Sequence, residues 1–168
     1  AYNTSTKKIQ MYSVSTPSSV QVSTIDTLIN FNGRNYITLT NLSITGSNSL
    51  AFNTYNTSHN IIDGCDISFH GIDAISGYTP YFTLQNSNIS YINNNGLNPN
   101  EGVNNTITDN VFSYIGSVAG MGQSGDLQYF GIQYPGSNSI VQRNTLHDVG
   151  YIGIRFSGTA SNITDNYI

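Results

Sequence analysis

The chain has 168 residues, which suits one domain with a sizeable core. Only 8% of residues are charged and the formal charge is −4 with 5 Lys and Arg, so nucleic acid is excluded as a natural partner, because phosphate binding needs clustered cations. No apolar run approaches the ~18 residues of a membrane span, and the lone cysteine, Cys65, cannot form an internal disulfide.

Asn, Ser, Thr and Gly must supply the polar surface. Helix formers are scarce, while β-branched residues and Tyr are common, which favours strand and turn over helix. Ile, Leu, Val, Phe and Tyr recur periodically, so a core can form.

In chain order, residues 1–34 read as lead-in strands and a first coil, beginning at Ala1 with no signal peptide. Residues 35–168 then read as regular coils. Anchors that close phrases of the form I-x-x-N-x-I fall at Ile44, Ile67, Ile89, Phe112, Leu146 and Ile168, spaced 23, 22, 23, 34 and 22. Five residues before each anchor lies an aliphatic column: Leu39, Ile62, Leu84, Ile107, Val141 and Ile163. Two residues before it lies another: Leu42, Cys65, Ser87, Asn110, Asn144 and Asn166. Earlier in each coil come Phe52, Ile75, Leu97, Ile132 and Ile154, each preceded by Ala or Gly. Three residues after four of the anchors come His70, Ile92, Ile115 and Val149.

Short alternating strands that return at a constant interval, with no room for a crossover helix, must stack coil on coil about 4.8 Å apart. The fold expected is all-β: a right-handed parallel β-helix of about six coils of ~22–23 residues, forming a single domain over 1–168. The asparagines at 110, 144 and 166 fall where the strand bends and are expected to point inward, their amides bonding one another and the backbone. Ile168 stands on an anchor with no polar cap after it, so the chain reads as a piece of a longer protein with further domains.

The phrases NNTITDNVFSYIG, NSIVQRNTLHDVGYIGIRF and SNITDNYI resemble the repeats of the pectin lyase-like superfamily. The opening KKIQMYS…PSSVQVS, followed by NYITLTNLSITG, looks like the entry to large secreted bacterial β-helix proteins. The resemblance runs from about Lys8 to Ile168 and implies a fold, together with an extracellular or cell-surface setting. It does not imply one activity, because such scaffolds carry lyases, hydrolases, adhesins and stalks.

The 34-residue spacing holds an inserted loop near 116–130. Long loops on rigid scaffolds are where function concentrates. The residue after each core residue of the Gly/Ala-preceded strands gives a row expected to be exposed: Asn53, Ser76, Asn98, Gln133 and Arg155. The loop enters the Gln133 strand, and His147 and Asp148 are expected in the turn before Arg155, so these residues, with Asp126, Tyr129 and Tyr134, are expected to flank one groove. Tyr129, Gln133, Tyr134 and Arg155 suit a polysaccharide or glycan, since amide, guanidinium and aromatic groups bond hydroxyls and stack on sugar rings. A solvated polar face is the plainer reading, with Arg155 paired to Asp126 or Asp148.

Catalysis has thin support. Lys7 and Lys8 lie in the lead-in and no lysine lies in the coils, which leaves a lyase without a lysine base there. Asp126 and Asp148, with His147, are the catalytic candidates, the two carboxyls serving if they lie about 5–9.5 Å apart. Asp63 and Asp66 make no calcium loop, and no metal or cofactor is expected. His70, in an otherwise aliphatic column, reads as a satisfied core histidine before a catalytic one, with Asp66 and Asp73 as its nearest candidate partners. Gly120–Gly125 spells G-x-G-x-x-G outside any βαβ unit and carries no meaning. Two functions follow: a carbohydrate-binding or carbohydrate-processing β-helix, or a non-catalytic stalk or adhesin segment.

Overall fold

The computed structural model describes residues 13–168 and, before them, 2–3, 5–6 and 8–9, the strand residues 2–3 and 8–9 by backbone alone. Its regular structure is all strand, with no helix among the described residues. Tyr2–Asn3 and Lys8–Ile9 form a small antiparallel pair. Everything after them belongs to three parallel sheets of six, five and six strands, wound as a β-solenoid of about six turns.

The first sheet stacks Thr38–Thr40, Ile61–Asp63, Thr83–Gln85, Thr106–Thr108, Ile140–Gln142 and Asn162–Thr164. The second stacks Ser43–Ser47, Asp66–His70, Asn88–Ile92, Val111–Ile115 and Thr145–Val149. The third stacks Thr27–Asn30, Leu50–Asn53, Ile75–Ser76, Leu97–Asn98, Phe130–Gln133 and Ile152–Arg155. Each coil visits the three sheets in that order.

The columns read from the sequence are the registers of these sheets. Leu39, Ile62, Leu84, Ile107, Val141 and Ile163 pair in succession. So do Ile44, Ile67, Ile89, Phe112 and Leu146. The third sheet runs Ile29, Phe52, Ile75, Leu97, Ile132 and Ile154, one coil earlier than the sequence pattern began. Parallel in-register stacking puts like on like, so one apolar position repeated at the coil period becomes a continuous buried seam. Ile62, Leu84, Ile107 and Val141 are buried, while Ile163, on an outermost strand, is 40% exposed.

The small residues of the third sheet make room for the second. A Cβ on Gly96 would lie 2.7 Å from Cδ1 of Phe112, and one on Gly131 would lie 2.6 Å from Cδ2 of Leu146. The larger anchors therefore require glycine opposite them.

The bend between the first and second sheets has a repeated cause. Asn41, Gly64, Asn86, Asp109, Arg143 and Asp165 all hold positive φ, between 51° and 62°. Asn, Asp and Gly enter this region most readily, and all but one of the six are of those types. The left-handed residue turns the chain sharply and points the next side chain inward. There Asn110 Nδ2 donates to Oδ1 of Asn144 at 3.0 Å, and Asn144 Nδ2 donates to Oδ1 of Asn166 at 2.9 Å. Each amide also donates to the core-side carbonyl of an earlier coil, at Leu84, Ile107 and Val141. The inward amide ladder expected from the spacing is present. The wider column does not turn inward at its first position, where Leu42 is 38% exposed.

Candidate functional site

The inserted loop leaves the second sheet after Ile115 and rejoins the third at Phe130. Tyr129 pins its end, its hydroxyl donating to the carbonyl of Gln123 at 2.6 Å. The loop folds over the third sheet and covers Gln133, whose Nε2 donates to the carbonyl of Leu127 at 3.2 Å. Gln133 is only 4% exposed and its Oε1 meets no donor among the described residues. The row expected to be exposed is thus broken: Asn53, Ser76, Asn98 and Arg155 are half-buried and Gln133 is closed off by the loop. Gln133 does pair in register with Arg155.

Arg155 lies in the mouth this creates. Its guanidinium carbon sits 4.8 Å from the ring centre of Tyr134 and 5.5 Å from that of Phe130. Such cation–ring contacts hold a guanidinium in place without neutralising it, at about 0.5–1 kcal/mol each. The ion pair expected with Asp126 or Asp148 does not form. The described ion pairs are Arg143 with Asp109, at 2.7 Å, and His147 with Asp148, at 2.8 Å.

The single groove expected from the sequence resolves into two cavities. One, of about 460 Å³, is lined by Asp126, Tyr129, Tyr151 and Arg155 among others. The other, of about 260 Å³, holds His147 and Asp148. Tyr151 borders both. The candidate carboxyls Asp126 and Asp148 therefore face different spaces. His147 and Asp148 belong to the second-sheet strand Thr145–Val149, not to a turn. Tyr134 approaches the first cavity only through its contact with Arg155.

His70 is a core residue. It is 1% exposed, with Nδ1 2.7 Å from the Ser47 hydroxyl and Nε2 3.3 Å from the Ile44 carbonyl. Burial lowers its pKa to about 4, against a smaller opposing effect of the Ile44 carbonyl. Ser47 and Ile44, not Asp66 or Asp73, are its partners. Asp73 is buried elsewhere, accepting from Asn94 Nδ2 at 2.8 Å and the Asn95 amide at 3.0 Å, and burial pushes its pKa up.

Sequence reasoning passed over the most ordered surface feature. Phe69, Tyr91 and Tyr114 project from the second sheet as a stack, with ring centres 4.8 Å apart at each step and planes within 6°. All three hold positive φ, as do Gly46 before them and Asp148 after them in the same coil position. A left-handed conformation costs about 1–2 kcal/mol in an L-residue, and ring stacking returns about 0.5–1.5 kcal/mol per pair. The stacking offsets only part of the strain, and the rings stay 41–60% exposed. The signal lay in the sequence, because these aromatics are 22 and 23 residues apart. A second three-ring stack of the same kind joins Tyr36, His59 and Tyr81.

Fold and site together define a parallel β-solenoid that carries a loop-flanked, aromatic and cationic cavity. No known family, curated protein or solved structure matches the chain.

Proposed function

We propose that this chain is a carbohydrate-binding β-helix module of an extracellular protein, with its glycan seated where the inserted loop meets the third sheet. The observation that carries this reading is Arg155: a guanidinium held by two rings and by no carboxylate among the described residues, in the mouth of a cavity shared with Tyr129 and Tyr151. Such a cation is free to donate to a carboxylate or hydroxyls of a ligand, and Tyr151, 71% exposed, presents ring surface beside it. The resemblance of the coil phrases to pectin lyase-like repeats supports the extracellular setting alone.

Binding is favoured over processing because Asp126 and Asp148 line separate cavities, whereas glycoside hydrolysis needs two carboxyls flanking one bond. The test is titration calorimetry with hexagalacturonate and with neutral hexasaccharides. Arg155→Ala is expected to weaken hexagalacturonate binding by about 1–3 kcal/mol, the range for a charged hydrogen bond, while the loss of its ring contacts lowers the melting temperature by only a few degrees. A wild-type chain that binds none of these sugars would instead be a spacer, the stalk or adhesin reading.

A further inference from the structure

A stack of rings offers only two free faces, one at each end. At the far end of the Phe69–Tyr91–Tyr114 stack, Tyr114 is met edge-on by His147, with centres 6.0 Å apart and planes at 79°. His147 is held there by Asp148 at 2.8 Å. At the near end the next position in the series is Gly46, which has the same left-handed backbone but no side chain. A Cβ built on Gly46 would meet no atom within 4 Å. Among the described residues, the face of Phe69 that turns away from Tyr91 is therefore open, over a gap one coil thick where a ring of the series is missing.

That gap is part of a cavity of about 600 Å³ lined by Gln21, Val22, Ser23, Thr45, Gly46 and Phe69. Its volume falls within the range of small-molecule sites, about 300–1,000 Å³. Its chemistry is specific: one aromatic face, two hydroxyls and one amide, with no charged side chain in the lining. Phe69 also borders a second cavity, which runs along the edges of Tyr91 and Tyr114 to Ser117 and Val118 of the inserted loop. An extended ligand thus has a path from the gap along the stack towards the loop.

We infer that the gap over Gly46 is a subsite for a neutral pyranose ring, which stacks on Phe69 in place of the missing side chain. An apolar sugar face matches the ring, and the hydroxyls around its rim match Gln21, Ser23 and Thr45. An acidic sugar finds no cation there. The inference rests on the glycan-binding reading above but uses a different set of residues.

The test exploits the fact that the series itself accepts aromatic residues at this position. Gly46→Phe fills the gap with a fourth ring, whose stacking offsets part of the cost of a left-handed side chain, so the melting temperature should fall by no more than a few degrees. Phe69→Asn removes the platform while keeping a residue that tolerates positive φ, and serves if Gly46→Phe does not fold. With cellohexaose, xylohexaose and mannohexaose as probes in calorimetry, at least one is expected to bind wild type. Each variant should weaken that binding tenfold or more, while hexagalacturonate binding survives Gly46→Phe. If a neutral hexasaccharide binds and Gly46→Phe binds it equally well, the subsite is overturned while the glycan reading stands. Binding of hexagalacturonate alone overturns it in the same way, and binding of no sugar overturns both.

Discussion

Asn144 donates from Nδ2 to Oδ1 of Asn166, and its own Oδ1 accepts from both the backbone amide and the Nδ2 of Asn110, at 3.1 and 3.0 Å. It also donates to the Ile107 carbonyl at 2.9 Å, so one buried side chain satisfies groups of three coils. Asn144→Leu takes the acceptor from the buried Asn110 backbone amide and one donor from the Ile107 carbonyl. The expected loss is about 3 kcal/mol or more, read by chemical denaturation. A loss below about 1 kcal/mol would mean that the amides are replaceable spacers.

The aliphatic seam makes a second prediction. Ile107 is fully buried between Leu84 and Val141. Ile107→Ala is expected to cost about 2–5 kcal/mol through lost burial and the cavity left behind. Ile107→Asp places an unpaired charge in the stack and is expected to abolish folding. Soluble yield and the circular dichroism melt report both.

Gly131 tests the fit between the second and third sheets. Its absent Cβ would lie 2.6 Å from the Gly153 carbonyl oxygen and 2.6 Å from Leu146 Cδ2. Gly131→Ala is expected to lower stability by about 1–3 kcal/mol through overpacking. Adding Leu146→Val should recover only part of this, since the backbone oxygen stays in place. Full recovery would locate the conflict in the side chain alone.

The pH dependence turns on His70. In the unfolded chain the imidazole takes a proton near pH 6.5, while in the fold it resists until about pH 4. Its contribution is therefore complete above pH 6.5 and is lost as pH falls from there towards 4. Asp73, with its raised pKa, acts in the opposite sense, its contribution falling as pH rises above 3.8. Comparison with a variant isolates the histidine. Ser47→Ala with His70→Val makes the position aliphatic like Ile92 and Ile115, and removes the hydroxyl that would lose its partner. The double variant should hold its melting temperature between pH 6.5 and 4 better than wild type. Parallel melting curves would show that the ring is not held neutral.

The sequence by itself determined the register of this protein. In a parallel solenoid every residue lies directly over its counterpart one coil away, so a column 22 or 23 residues apart in sequence is a column in space. That is why the seam through Ile107 and the amide ladder through Asn144 were legible, and why the position of the inserted loop followed from one long spacing. The stack of Phe69, Tyr91 and Tyr114 obeyed the same period and was equally present. Only the tertiary structure decided what the loop does. Its path over the third sheet buries Gln133, separates Asp126 from Asp148 and leaves Arg155 against rings instead of a carboxylate. The loop has no repeat to place it, so its course depends on contacts such as that of the Phe130 amide with Oδ1 of Asn95 in the preceding coil, which exist only once the coils are stacked.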